Sequence, residues 1–250
     1  MSSLRLPPLA RFATAAALLF AASAAHAATV SFTDSVRYWS GWANGTADDG
    51  RDTIGTPNFT GGTATFDDAT GRLVQVALPY TGQFSPVASG NARVLPGDLF
   101  LDAGADGDWD YVMKLVAGAQ TPVASYASLS ILDVGGVAAP TYWMSGSDNT
   151  GYWRGYGVRD RHPYAWSGGG AQIGTGSLGS FDQLASGGTI VLNLGDGLWI
   201  GDQVRIGFAP SCANDVVLAT VAAPVPEPTA VLLFGVGLAA VAKGSRRARR

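Results

Sequence analysis

Residues 72–80 have the sequence RLVQVALPY, in which the side chains from Leu73 to Leu78 alternate between two faces. This alternation predicts a β-strand with one buried face and one wet face. Similar short runs, rich in β-branched and aromatic residues and bounded by Gly, Asp, Asn and Pro, recur along the chain. They predict strands over residues 28–39, 62–67, 72–80, 109–117, 127–134, 141–144, 188–194, 203–210 and 215–221. The pattern favours an all-β fold, an antiparallel two-sheet sandwich of the jelly-roll kind.

The composition of the chain also argues against long surface helices. Between residues 28 and 225 there is no Glu, and the one Lys is Lys114. Strong helix formers are therefore missing, and residues 28–221 are predicted to form one β-domain. Cys212 is the single cysteine of the 250 residues, so no intramolecular disulfide can form.

The N-terminus has the three parts of a secretory signal peptide. Arg5 and Arg11 supply positive charge, an apolar stretch covers residues 13–25, and Ala25-His26-Ala27 forms a small-residue cleavage site. Residues 1–27 are predicted to be a signal peptide read by the Sec translocon and cut after Ala27. The alternative is a buried N-terminal helix.

The C-terminus departs from the body in a different way. Residues 222–228 form a Pro-rich linker, residues 229–242 carry no charge, and Lys243 and four arginines follow. Residues 229–250 are therefore predicted to hold a hydrophobic segment in the inner membrane, with the basic tail in the cytoplasm. The alternative is an amphipathic helix folded onto the domain. The body between the two ends carries nine basic and eighteen acidic residues, which argues against a nucleic-acid partner.

Acidic residues crowd into one segment of the body. Residues 97–112 have the sequence GDLFLDAGADGDWDYV, flanked by predicted strands. Four carboxylates so close together indicate either a structural Ca²⁺ site or a solvated Asp-Gly turn. The predicted ligands are Asp102, Asp106, Asp108 and Asp110. Asp48, Asp49 and Asp52 form a second, weaker candidate loop.

Aromatic residues cluster in two stretches, residues 37–42 and 141–166. Exposed flat rings beside polar groups are typical of sugar-binding surfaces. The candidate glycan contacts are Trp39, Trp42, Trp143, Trp153, Tyr156 and Trp166. The alternative is that these rings fill the core of the domain.

Signals for catalysis are few, so the chain is predicted not to be an enzyme. His162 is the one histidine of the body, and it precedes a proline, which suits a turn. Residues 174–179, GTGSLG, match the spacing of a dinucleotide-binding loop, but no helix is predicted after them, so they are interpreted as a flexible loop.

Residues 225–228, VPEP, precede the apolar segment and the arginine cluster. The three parts in this order resemble the PEP-CTERM sorting signal of exported Gram-negative bacterial proteins. The resemblance implies recognition by an exosortase through Pro226, Glu227 and Pro228, removal of the tail, and a producing cell that makes extracellular polysaccharide or biofilm. Residues 209–228, with Cys212, Asn214 and Asp215, are similar to the closing strand of many such proteins.

The resemblance concerns the sorting of the protein and does not indicate a reaction that it catalyses. The first hypothesis is an exported cell-surface or matrix protein, held briefly at the inner membrane and then delivered to the periplasm, the cell surface or the medium. The second is a carbohydrate-binding module with aromatic stacking and structural Ca²⁺. A secreted hydrolase is the third.

Overall fold

A computed structural model describes most of the body of the chain. The described residues are 27–34, 36, 38–39, 52–53, 55–84, 94–118, 121–135, 141–145, 162–179, 181–182 and 185–224. The predicted signal peptide up to His26, and the sorting motif with the apolar segment behind it, lie outside these residues. In the described part of the chain, no helix has the length and apolar character needed to cross a membrane.

The described residues form β-strands and turns, which confirms the all-β prediction. The strands are β1 (Ala27–Phe32), β2 (Asn58–Phe59), β3 (Gly62–Asp67), β4 (Leu73–Thr81), β5 (Leu99–Ala103), β6 (Tyr111–Met113), β7 (Val116–Gly118), β8 (Thr121–Pro122), β9 (Leu129–Asp133), β10 (Tyr142–Met144), β11 (Pro163–Trp166), β12 (Ala171–Leu178), β13 (Gly187–Leu198), β14 (Gln203–Phe208) and β15 (Val217–Ala222).

Eleven of the strands belong to one antiparallel sheet. Its order is β1-β3-β4-β13-β12-β9-β6-β5-β14-β15, and β2 pairs with β4 at the side. The first and last strands of this order, β1 and β15, lie near each other, so the sheet nearly closes on itself. The antiparallel arrangement is confirmed, whereas the division into two sheets of a jelly roll stays a prediction. Two short hairpins, β7-β8 and β10-β11, complete the described strands.

The main core lies inside the curved sheet. On β4, Leu73, Val76 and Leu78 are fully buried, and on β13 Ile190 and Leu192 are buried with them. Val76 and Leu78 thus face inward, as the alternation predicts, and Leu73 faces the same way because the pairing of β3 with β4 shifts register at Val74. Side chains of β5, β14 and β15 reach the same cluster from the other half of the sheet. A single interior therefore holds both halves together.

A second core covers the outer face of β5, β6 and β14. Phe100 and Val112 point away from the main core and pack under the β10-β11 hairpin and Trp39. Gly207 on β14 makes room for this layer, because a Cβ there would come within 2.5 Å of the Trp39 ring and 2.7 Å of the Trp109 ring. This part of the sheet is consequently buried on both faces.

The interpretation of residues 174–179 as a flexible loop is wrong. Residues 171–178 form β12, which pairs with β9 along its first part and with β13 at Ser177 and Leu178. Backbone pairing on both sides overrides the low strand propensity of glycine. Gly176 allows β12 to pack closely against β13, because a Cβ there would lie 2.3 Å from the carbonyl oxygen of Asn193.

Candidate functional site

The predicted calcium loop is the turn between β5 and β6. The carboxylate of Asp102 is fully buried and pairs with the Arg205 guanidinium, with Nη2 and Oδ2 2.8 Å apart. It also accepts hydrogen bonds from the backbone N–H groups of Asp106 (3.0 Å) and Gly107 (3.1 Å). Burial raises the pKa of Asp102, and these hydrogen bonds and the arginine oppose that rise. The geometry is that of an Asp-Gly turn closed on an ion pair.

The carboxylates of Asp106 and Asp110 also have partners within the turn. Asp110 accepts a hydrogen bond of 2.7 Å from the backbone N–H of Ala103, and Asp106 accepts one of 3.1 Å from that of Asp108. Burial raises the pKa of Asp110, and the nearby charges of Asp102 and Asp106 raise it further. Calcium binding by Asp102, Asp106, Asp108 and Asp110 stays a prediction.

A different carboxylate group comes together from distant parts of the sequence. Asp34, Asp52 and Asp215 each place a carboxylate oxygen within 4.8 Å of the others, and within the described ranges this is the one such group of three. Asp215 is fully buried and accepts hydrogen bonds from the N–H groups of Phe59 (2.6 Å) and Val216 (3.0 Å). Burial, with a contribution from the charge of Asp52, raises the pKa of Asp215 to about 6.

The turn before β15 explains why Cys212, Asn214 and Asp215 occur together. The Cys212 thiol lies 2.8 Å from Asn214 Oδ1, and the Asn214 amide donates a hydrogen bond of 3.1 Å to the carbonyl of Pro57. With Asp215 bound to Phe59, the turn is tied to the segment that precedes β3. These residues fasten two distant parts of the chain to each other.

The predicted aromatic contacts divide into three groups. Trp39 and Trp166 are each 3% exposed and belong to the second core. Trp39 packs edge-on against Phe100 and Trp109, and Trp166 packs edge-on against Tyr142. Trp143 is partly buried against the same cluster. Trp42, Trp153 and Tyr156 lie outside the described residues. In this structure, the rings of Trp39 and Trp166 fill the core and are not available for stacking on a sugar.

An exposed tryptophan that the sequence analysis did not select lies at the end of β13. Trp199 is 65% exposed, whereas its neighbours Leu198 and Ile200 are buried. Its carbonyl accepts a hydrogen bond of 3.4 Å from the Tyr111 hydroxyl. Burial on either side and this bond fix the backbone, so the indole stands out from a rigid strand end. The signal in the sequence was a tryptophan between two Gly-Asp turns, in residues 195–202.

Trp199 lines a surface cleft of about 600 Å³. Ile173, which is 48% exposed, lines the same cleft, and these two are the large exposed apolar side chains of the described part of the chain. The polar and charged residues of the walls are Arg72, Tyr111, Gln172, Thr175 and Asp196. Arg72 donates a hydrogen bond of 3.3 Å to the carbonyl of Asp196, which fixes one rim.

The residues of the predicted processing sites lie at or beyond the limits of the described chain. Pro226, Glu227, Pro228 and Ala25 lie outside it, and Ala27 is the first residue of β1, opposite Asp67. The last strand ends at Ala222, close to the predicted end of the domain. The linker therefore follows directly after the strand that completes the sheet.

Comparison with known proteins supplies the function of this linker. Residues 224–250 match the family model described as the PEP-CTERM protein-sorting motif. The chain carries a PEP-CTERM motif. The motif marks it for export and membrane-associated sorting with processing by an exosortase. No curated protein and no solved structure matches the chain.

Proposed function

We propose that this PEP-CTERM protein is a non-enzymatic component of the cell surface or extracellular matrix, with a structural or interaction role linked to extracellular polysaccharide. The observation that carries the proposal is the sorting motif at residues 224–250, which directly follows the last strand of the sheet. A sheet that nearly closes on itself presents few free edges, which suits a protein that must persist outside the cytoplasm.

The proposed route follows from the chemistry of the two ends. The Sec translocon recognises residues 1–27 and the signal is removed after Ala27. Residues 229–242 then hold the chain in the inner membrane while the arginines stay in the cytoplasm. The prolines around Glu227 keep the backbone extended, which is the form that a protease cleft binds. Cleavage by the exosortase frees the body for the periplasm, the cell surface or the medium.

The polar residues of the body support a structural role over hydrolysis. His162 is fully buried, and its backbone N–H donates a hydrogen bond of 3.0 Å to the Ser145 hydroxyl. The carboxylate of Asp102 is engaged by Arg205 inside the fold, and Asp98 is likewise paired with Lys114. A general acid or base needs access to a substrate, which burial denies to these groups.

Mass spectrometry of the mature C-terminus tests the sorting part of the proposal. We expect the exported form to end near Pro226–Pro228 in cells with an active exosortase and to keep Arg250 in cells without one. Glu227→Ala should prevent the cleavage, whereas Asp202→Asn, an exposed change in the β13-β14 turn, should leave it intact. An exported wild-type form that retains Arg250 would contradict the proposal.

A carbohydrate-binding module is the second candidate function. The observation that favours it is the cleft of about 600 Å³ with the exposed indole of Trp199. Its contacts differ from those that the sequence indicated, because Trp39 and Trp166 lie in the core.

A further inference from the structure

A row of uncharged polar side chains crosses five adjacent strands on the outer face of the sheet. Backbone register places Thr29 opposite Thr65, Thr65 opposite Gln75, Gln75 opposite Asn193, and Asn193 opposite Ser177. The row therefore runs across β1, β3, β4, β13 and β12 without a break in the pairing. With strands about 4.8 Å apart, the row is about 19 Å long, which is the length of several sugar rings.

Hydrogen bonds between neighbours hold this row in a fixed geometry. Gln75 Nε2 donates to Asn193 Oδ1 over 2.8 Å, and Asn193 Nδ2 donates to the Ser177 hydroxyl over 3.3 Å. The Thr29 and Thr65 hydroxyls lie 3.3 Å apart. Amides and hydroxyls have both donor and acceptor capacity, so each keeps a free position for a ligand hydroxyl. Because these hydrogen bonds already hold the side chains, little side-chain conformational entropy is lost when a ligand binds.

The row and the Trp199 cleft form one continuous surface. Four residues of the row line a depression of about 440 Å³, and this depression shares Thr175 and Gly195 with the cleft of about 600 Å³. No charged residue of the described chain lines the smaller depression. The surface thus offers an apolar platform at one end and an uncharged hydrogen-bonding track at the other.

We infer that this surface binds a linear, neutral polysaccharide, with one sugar ring on Trp199 and the following rings along the row from Ser177 to Thr65. A neutral sugar has an apolar C–H face that stacks on an indole and hydroxyls that both donate and accept hydrogen bonds. An anionic polymer is disfavoured, because the body carries eighteen acidic against nine basic residues. This inference rests on the proposed role at extracellular polysaccharide and names the ligand class and its site.

Calorimetric titration of the mature protein, purified from the cell that exports it, tests the inference. The probes are cellohexaose, laminarihexaose and mannohexaose, with the corresponding disaccharides and a hyaluronan hexasaccharide as the anionic comparison. We expect at least one neutral hexasaccharide to bind, about tenfold more tightly than its disaccharide, because the longer chain reaches the polar row. Trp199→Ala should weaken this binding about tenfold and Trp199→Phe much less, since an aromatic face remains.

Two further variants locate the track and check the fold. Asn193→Ala should reduce the advantage of the hexasaccharide over the disaccharide, whereas Asp68→Ala, in the exposed turn after β3, should bind as the wild type does. Equal thermal midpoints for all variants show that the fold is kept. Binding of none of the neutral hexasaccharides, equal binding by Trp199→Ala, or a preference for hyaluronan overturns the inference.

The outcome separates this inference from the proposed function. If the protein is processed normally at its C-terminus but binds no neutral hexasaccharide, the inference about the ligand is wrong and the proposed sorting route stands. If the exported protein keeps Arg250 but binds a neutral hexasaccharide, the proposed sorting route is wrong and the inference about the ligand stands.

Discussion

At the scale of single residues, the buried carboxylate of Asp98 joins three parts of the fold. It pairs with Lys114, the one lysine of the body, and accepts hydrogen bonds from the N–H groups of Leu115 (2.7 Å), Val116 (2.9 Å) and Trp166 (2.9 Å). The Lys114 ammonium also donates to the Trp166 carbonyl over 2.5 Å. One carboxylate thus connects the chain around β6 and β7 to the β10-β11 hairpin.

Asp98→Ala should remove a large part of the stability of the protein. The change leaves three buried backbone N–H groups without their acceptor and removes the carboxylate that pairs with the partly buried Lys114 ammonium, so we expect the free energy of unfolding to fall by about 3–5 kcal/mol. Urea unfolding followed by tryptophan fluorescence measures the change. Asp108→Ala, an exposed position in the next turn, is the matched control and should change stability by less than about 0.5 kcal/mol. Similar losses for the two variants would contradict the role assigned to Asp98.

Asp215 should make the stability of the protein depend on pH in an unusual direction. Its pKa is about 6 in the folded protein and has an ordinary value of 3.8, so the folded state binds more protons between these values. Stability from this group is therefore present at low pH and is lost as the pH rises from about 4 to about 6. The neighbouring carboxylate of Asp52 acts in the same direction as burial, because its negative charge also raises the pKa of Asp215.

A comparison of wild type with Asp215→Asn isolates this contribution. Asparagine keeps an oxygen that can accept from the Phe59 N–H but does not titrate. Relative to the variant, the wild type should lose up to about 3 kcal/mol of unfolding free energy between pH 3.5 and pH 7. Urea titrations across this range measure the difference. Parallel pH profiles for the two proteins would show that Asp215 does not titrate in this window.

At the scale of elements, the sequence predicted strands best where one face is buried and the other is wet. Alternation identified β3, β4, β13, β14 and β15 with small errors at their ends. It failed for β12, whose glycines carry no side-chain pattern, and for the second core, because burial on both faces removes the alternation from β5. The sequence analysis left open whether Trp39 and Trp166 contact a sugar or fill the core, and the structure places both in the second core.

The candidate sites show the same division between local and distant information. The Asp loop was identified because its four carboxylates are close in sequence, although the structure adds the partner Arg205. The group of Asp34, Asp52 and Asp215, and the polar row from Thr29 to Ser177, depend on strand pairing between distant segments. Nothing in a single sequence specifies that pairing. Trp199 was missed because it stands alone between two Gly-Asp pairs, outside both of the aromatic stretches.

Within β12, Gly176 is required by its closeness to β13. A Cβ at this position would collide with the carbonyl oxygen of Asn193 and come within 2.7 Å of the Met113 side chain. Gly176→Ala should therefore force the two strands apart and lower the free energy of unfolding by about 1–3 kcal/mol. Gly169→Ala is the matched control, because no atom lies within 4 Å of a Cβ there. Urea unfolding of both variants tests the difference, and equal stability would refute the close contact.

At the scale of the whole molecule, the described core extends to the last strand, β15. The buried residues of the two clusters lie between Trp39 and Val221. The partly buried residues that pack against them lie between Val30 and Ala223. The last strand contributes Val217 and Val221 to the main core and pairs with β14 along six residues. The body should consequently keep its fold when the tail is removed, as a protein that is processed after export requires.

Two truncated chains test whether the fold is independent of the sorting segment. A chain that ends after residue 224 keeps all of β15, so its thermal midpoint should lie within about 2 °C of that of the full chain. A chain that ends after residue 216 lacks β15, leaves the edge of β14 unpaired and opens the core at Val204 and Ile206, so it should not unfold cooperatively. Calorimetry in the same buffer measures both. A clearly lower midpoint for the chain that ends after residue 224 would mean that residues 225–250 contribute to the fold, and cleavage by the exosortase would then destabilise the protein that it delivers.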